Sequence, residues 1–450
     1  MKILQNGILI TPMGSIKGDL AMEDGRIVKM AEHIAAGVED EVFDAEGCIV
    51  FPGFIDQHTH LQMDNGVTWT ADDFESGTRA AACGGTTCIV DFATQDRGGT
   101  LMAALDTWKS RSAGRSRCHT AFHMAITDWS ESVYRELPLI RKAGVSSFKI
   151  YMAYDALRVD DAQALQILRA MKEIGGLCGC HCENGTLVNF LQKKEIEAGH
   201  TDPSAHPVSR PAEAEAEAID RYLWLARLAD VPVYIVHLST ALGLEEIRRA
   251  KRRGQTVYIE TCPQYLLMDD SRYRLPGFES AKYVMSPPLR KAADVQALRE
   301  AVLSGEVDAV ATDHCSFRFA DQKQLGKDDF RKIPNGAPGI EHRPALILDL
   351  FRDSLSYEKL CRLLSEGPAR LMNLYPKKGC LAVGSDADVT VWDPDQVWTI
   401  RADDQQQNVD YTPYEGKTVR GRARLVFVNG TLAAGDGKPV GEPCGTYVSR

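Results

Sequence analysis

An apolar run, CIVFPGFIDQHTH at residues 48–60, ends in Asp56, His58 and His60. Side chains of a strand alternate faces, so imidazoles two residues apart leave it on one side, roughly 6 to 7 Å from each other and close enough to share one ion. Taken alone, the pair reads equally well as two buried, hydrogen-bonded histidines. Four other residues shift that balance. Lys149 lies in SSFKIYM, His181 in GLCGCHCE, His237 in VPVYIVHLS and Asp313 in DAVATDHC, and each belongs to a short apolar run. Unrelated structural histidines have no reason to collect at the ends of such runs. Six side chains that can hold metal would meet wherever these ends meet.

The other histidines, His33, His119, His123, His200, His206, His314 and His342, complete no such set, and each reads as a surface or satisfied core residue, a supporting place beside Asp313 being only the minor reading for His314. Cys178, Cys180 and Cys182 alternate around His181. Strand alternation puts all three thiols on the face opposite the imidazole, where they pack against the wall.

The elements that must position these residues follow from the pattern of the chain. Between residues 51 and 375, short apolar runs alternate with amphipathic stretches near residues 72–82, 99–112, 131–143, 161–174, 213–229, 241–253, 293–304 and 342–355. Eight strand-then-helix units predict an α/β fold, a (β/α)8 TIM barrel, whose catalytic groups sit at the carboxyl ends of the strands. Lys149 then falls in strand four, while His181, His237 and Asp313 end strands five, six and eight. Residues 1–50 and 376–450 carry short β-rich pieces with Gly and Asp turns. The first stretch reads as a small antiparallel sheet, and the two ends are expected to pair into one small domain beside the barrel.

Composition narrows the class. A net charge of −10 without a basic stripe argues against nucleic acid or an anionic membrane as partner. No apolar run reaches membrane-spanning length, and the N-terminus lacks a convincing secretory signal. Twelve cysteines without a framework spacing fit reduced thiols in a cytoplasm.

Ordered motifs along nearly the whole chain give a resemblance. GFIDQHTH, RAAACGGTT, FKIYMAY, HCEN, VHLS, ETCPQYL, YVMSPPLR, ATDHC, IPNGAPGIE and GSDADVTVWDP are similar to segments of the dihydropyrimidinase and hydantoinase family of cyclic amidohydrolases. The resemblance implies a barrel with a β-sandwich formed by the terminal segments. It implies two divalent metal ions per subunit, a Lys149 carboxylated by carbon dioxide, and a homodimer or homotetramer. By resemblance His58, His60, Lys149 and Asp313 hold one ion, and Lys149, His181 and His237 the other. A free ammonium repels metal, whereas its carbamate offers two anionic oxygens able to bridge ions about 3.5 to 4 Å apart.

The resemblance further makes Asp313 the proton carrier and Tyr154 the donor to the developing oxyanion, with Ser286 and Asn335 presenting backbone groups to the substrate amide. The expected reaction opens the ring C–N bond of a cyclic ureide or imide to an N-carbamoyl amino acid. Four imidazoles with carboxylate-type oxygens favour zinc, with manganese, cobalt or iron as alternatives.

Two features depart from the pattern. Gln62-Met63-Asp64-Asn65-Gly66 replaces an aromatic loop, so a more polar pocket wall is expected. Gln62 stands where dihydroorotases and allantoinases tend to carry Arg or Asn, which disfavours the former and leaves allantoinase as the alternative. Non-enzymatic scaffold proteins share the fold without the metal ligands, all of which are present here.

Overall fold

The computed structural model describes all 450 residues. Eight strands form one all-parallel sheet in sequential order: β6 Phe54–Thr59, β7 Thr86–Thr94, β8 His119–Ala125, β9 Ser147–Tyr151, β10 Leu177–His181, β11 Val233–Ile235, β12 Val257–Thr261 and β13 Ala309–Val310. Every residue of β6 and β8 is buried, as expected for strands covered on both faces. Between them lie the helices. Seven of the eight expected helices form within two residues of their expected ends, and the last, Arg343–Phe351, stops four residues short. Several start on a side chain that accepts from its own first-turn amides, as Thr100, Ser130, Asp160 and Thr240 do.

Two further helices, Gly185–Glu197 and Ala205–Ser209, stand between β10 and β11. The first buries only Gly185 and Val188, so it carries too narrow an apolar stripe to be read from periodicity.

The barrel closes by an unusual seam. The last strand is two residues long and makes no ladder with β6. Instead Thr59 bridges His314, the His60 amide donates to the His314 carbonyl at 2.7 Å, and Asp56 accepts from the Thr312 amide (3.1 Å) and hydroxyl (2.6 Å). Arg343, fully buried at the start of the last barrel helix, donates from Nη1 to both the Ile55 (2.7 Å) and Val310 (2.9 Å) carbonyls. A positive φ of 52° at Asp313 ends any continuation of β13.

The chain ends share a second sheet. Its strands are β1 Lys2–Thr11, β2 Gly14–Glu23, β3 Arg26–Ala31, β4 Glu41–Asp44, β5 Ile49–Pro52, β14 Val389–Thr399, β15 Thr418–Val428, β16 Thr431–Gly435 and β17 Lys438–Pro439. The expected antiparallel arrangement holds for β1 to β3 only, because β4 and β5 return beside β1 in the same direction and pair with it in parallel. Asn6, at φ 67°, marks the irregularity that divides β1 into a half facing β4 and a half facing β5. β5 also pairs with β14, which joins the two ends of the chain. A small core of its own, including Leu4, Leu20, Val50, Val389 and Phe427, lies within this sheet, and Phe43 of β4 meets Phe427 of β15 edge-on at 5.1 Å across it.

Candidate metal centre and active site

All six expected side chains come together at the carboxyl end of the barrel. His58 lies in β6 and His60 one residue beyond it, Lys149 lies in β9, His181 ends β10, His237 stands two residues past β11 and Asp313 three past β13. Asp313 Oδ1 is 3.2 Å from Nε2 of both His58 and His60, and the three residues offer donor atoms that all lie within 4.8 Å of one another. Across the mouth, His181 Nδ1 faces His237 Nε2 at 3.1 Å. The His58 and His237 rings are 5.4 Å apart, so the two groups are continuous. His237 and Asp313 both adopt positive φ, 40° and 52°, as does Tyr154 at 67°. Strained backbone of this kind persists where the surroundings enforce it, and here it falls on candidate functional residues.

Lys149 is buried, with its Nζ 5.1 Å from the Phe92 ring and 5.4 Å from the Tyr151 ring, and it makes no hydrogen bond to the protein. Burial pushes its ammonium below the ordinary lysine range, against the pull of Asp313 and Glu260. His237 is held well below the usual imidazole range by burial and then by Lys149. His58 goes the other way: burial alone would lower it, but Glu260 and Asp313 carry it to about 9. Asp313, which burial would raise, is held well below the carboxylate range by His58 and its companions.

This donor set fits divalent metal. Buried polar atoms ordinarily find partners, yet His58 Nε2 and His237 Nδ1 have no hydrogen bond. A cation held by this group of imidazoles and the Asp313 carboxylate would give such orphaned nitrogens a partner.

Behind these residues stand carboxylates that were not singled out from the sequence. Glu260 of β12 accepts from His58 Nδ1 at 2.6 Å, from Gln57 Nε2 at 2.9 Å and from the His237 amide at 3.1 Å, and is also bonded to the Tyr234 hydroxyl. It fixes the His58 ring so that Nε2 faces the mouth. Glu183 does the same for His181, accepting at 2.8 Å from Nε2 while also bonded to Arg210. Burial would raise Glu183, but Arg210 and His181 bring it down to about 2. The sequence carries only a weak trace of them: one acid within the apolar run of strand seven, and another two positions beyond His181. His314, fully buried, bonds Asp72 at 3.1 Å and accepts from the Gly339 amide at 3.1 Å, so it braces the segment after Asp313.

Tyr154 follows β9 with its ring 5.1 Å from that of His181, and burial lifts its hydroxyl to about 12. Ser286 Oγ and Asn335 Oδ1 are shielded atoms without partners. The Ser286 amide and carbonyl and the Asn335 amide also make no hydrogen bond within the protein. The three thiols Cys178, Cys180 and Cys182 are buried in the apolar core of the wall.

One expectation changes. Asp64 Oδ1 accepts from the Gly66 amide (2.9 Å), and Asn65 Oδ1 from the Val67 (3.0 Å) and Thr68 (2.8 Å) amides. These side chains serve their own turn and lie exposed, so their polarity belongs to the loop itself and does not make the more polar pocket wall expected from it. Gln62 turns toward Arg115, 3.4 Å from Nη1.

The chain matches the amidohydrolase family over residues 49–433. It is 42% identical to the D-hydantoinase of Geobacillus stearothermophilus over 100% of its own length and 96% of that protein. It is 39% identical to a D-phenylhydantoinase of Escherichia coli, over 97% and 96% of the two chains. Among solved structures, a crystal structure of D-hydantoinase superposes with a TM-score of 0.98 at 40% identity, covering 100% of this chain and 98% of the other. The chain belongs to the amidohydrolase family, in its hydantoinase and dihydropyrimidinase branch.

The dihydropyrimidinase of Brevibacillus agri is equally close in fold, with a TM-score of 0.98 at 39% identity over 100% and 98% of the chains. This amidohydrolase therefore carries a His-His-Asp group in a family of metal-dependent enzymes. No helix of this amidohydrolase is long and apolar enough to cross a membrane.

Proposed function

We propose that this amidohydrolase opens the ring amide C–N bond of a cyclic ureide or imide, of the dihydropyrimidine or hydantoin type, to give an N-carbamoyl amino acid. The observation that carries the reading is the meeting of His58, His60 and Asp313 with His181 and His237 at one barrel mouth, with the unpaired Lys149 reaching in between their strands.

His58, His60 and Asp313 on one side and His181 and His237 on the other would hold two divalent ions, zinc first, which when bound would supply hydroxide at neutral pH by lowering the pKa of water from 15.7 to roughly 7. Lys149 is assigned as a carbamate that would add its oxygens to that donor set. Its lowered pKa supports this, because the neutral amine attacks carbon dioxide, forms the N–C bond and releases one proton. Asp313 stays ionised and takes the proton from the attacking water, then passes it to the departing ring nitrogen. Tyr154 remains protonated at neutral pH and donates to the oxygen on which charge develops. The free backbone groups of Ser286 and Asn335 receive the ring amide, and only a flat, cis-like amide presents its N–H and C=O on one side to both.

The same reading divides the chain into a terminal unit, residues 1–50 with 376–450, and a barrel unit, residues 51–375. It also places the enzyme in a cytoplasm as a dimer or tetramer. The exposed Phe190, Trp224 and Leu228 on the outer helices support association. Ring opening of dihydrouracil, hydantoin, 5-phenylhydantoin and allantoin, with metal content measured on the same preparation, tests the proposal. Turnover of at least one ring at about two metal ions per chain is expected. No turnover, or far less than one ion per chain, overturns it.

A further inference from the structure

A buried lysine that takes no part in the metal centre ties together the two loops assigned to the substrate. Lys323 is fully buried, and Nζ donates to the carbonyls of Val284 (2.9 Å), Pro334 (2.6 Å) and Gly336 (2.8 Å). An ammonium has three hydrogens, so every donor is used. No carboxylate pairs with it, and the nearest aromatic face is Phe317, 5.8 Å away.

The placement of those three carbonyls is what gives this cation a role. Val284 stands two residues before Ser286, and Pro334 and Gly336 flank Asn335. The same two loops are joined a second time where the Gly336 amide donates to the Val284 carbonyl at 3.0 Å. Gly336 has φ 143°, and a Cβ there would fall 2.3 Å from the Cys315 carbonyl, so the loop is pressed against the strand end that carries Asp313. His206 Nε2 meets the Met285 carbonyl at 2.8 Å. The carbonyls on either side of Ser286 and Asn335 are thus turned into protein and occupied. The backbone groups of Ser286 itself and the Asn335 amide are left unbonded. Burial lowers the Lys323 ammonium to about 7, and the three carbonyls are what favour its charged form.

We propose that Lys323 is a positioning residue for substrate recognition: by gathering the Val284, Pro334 and Gly336 carbonyls on one ammonium, it sets the spacing between the Ser286 and Asn335 backbone groups that receive the two sides of the ring amide. The proposal rests on the ring-opening reading above. It assigns to Lys323 an effect on binding of the ring, and none on the metal-bound water.

The test compares Lys323→Met, which keeps the length and removes all three donors, with wild type on hydantoin and dihydrouracil. KM is expected to rise by about tenfold or more, since small displacements of a binding group are amplified in this way, while kcat falls by less than about threefold and metal content stays at the wild-type value. Lys323→Gln, which can serve two of the three carbonyls, is expected to fall between the two. Hydrogen exchange supplies a readout independent of turnover: the Gly336 amide and the 284–287 and 334–336 segments should exchange faster together in the variant. A folded Lys323→Met with unchanged KM, or with a lowered Tm alone, overturns the proposal. Where neither variant folds, the wild type is read instead: binding of a non-hydrolysed cyclic imide must slow exchange in both segments together, and protection of one without the other overturns the coupling. If the wild type opens no ring of the panel, the functional reading fails, while the exchange experiment still reports on the link between the loops.

Discussion

Two regions of this molecule bury a lysine among ionisable groups, and they treat it in opposite ways. At the mouth of the barrel, Lys149 has no hydrogen bond, and burial holds it below the lysine range. Where the barrel meets the terminal sheet, Lys378 is equally buried but donates to Asp386 at 2.9 Å and is bonded to Asp388 as well. Burial would lower Lys378, but Asp388 and Asp386 outweigh it and raise it above the lysine range. There, His119 at the start of β8 adds a third contact to Asp388 at 3.4 Å. The charge on Lys378 comes with its counter-charges, whereas Lys149, with neither a carboxylate nor a carbonyl bonded to its Nζ, is poised to change covalent or coordination state.

Replacing each lysine tests that contrast. Lys149→Ala is expected to abolish most turnover and release much of the metal, with short carboxylic acids in solution partly replacing the lost bridge. Full activity with full metal content would sink the binuclear assignment. Asp313→Asn separates coordination from proton transfer, since the amide keeps an oxygen for metal but accepts no proton. Turnover is expected to fall by roughly 10² or more with most of the metal retained. Near-normal kcat would move the base elsewhere.

The junction answers differently. Lys378→Met leaves Asp388 with only His119 and the Asn429 amide, and Asp386 with only Arg26, and should destabilise the fold by about 2 to 4 kcal/mol in denaturant titration, with kcat/KM of the folded fraction unchanged. A large loss of kcat/KM there would erase the distinction drawn above. The smallest effect is a pH slope. Glu183, near 2 when folded against about 4.5 when unfolded, contributes stability that is fully present above pH 4.5 and lost as pH falls toward 2. Tm of the wild type should therefore fall over that window. Glu183→Gln should start lower and show a shallower fall, and parallel curves would show that another group carries the slope.

Most of the barrel was legible because its strands read as uninterrupted apolar runs and its helices as 3.6-residue stripes with capping residues ahead of them. The site residues were legible for the same reason: His58, His181 and Asp313 stand where apolar runs end. Glu260 was not, because a single acid inside a strand carries no sign of whether it meets a metal, a histidine or solvent. The parallel return of β4 and β5 was hidden too, since strand direction depends on how residues 32–40 cross the sheet and not on alternation. Asp64 and Asn65 show the limit from the other side. Their polarity was plain, but whether it faced the pocket depended on turn hydrogen bonds to Gly66, Val67 and Thr68.

The seam between β6 and β13 makes the barrel a hoop with one pinned joint. Seven of its joints are strand ladders, and the eighth depends on the Asp56–Thr312 and Arg343 contacts and one short bridge. His58 and His60 sit on one side of that joint and Asp313 on the other. An ion held by all three would act as a rivet through it, so that losing the metal would loosen the hoop at this joint. Heat inactivation should then begin as a local parting along this line, ahead of global unfolding, and excess metal in the buffer should delay it.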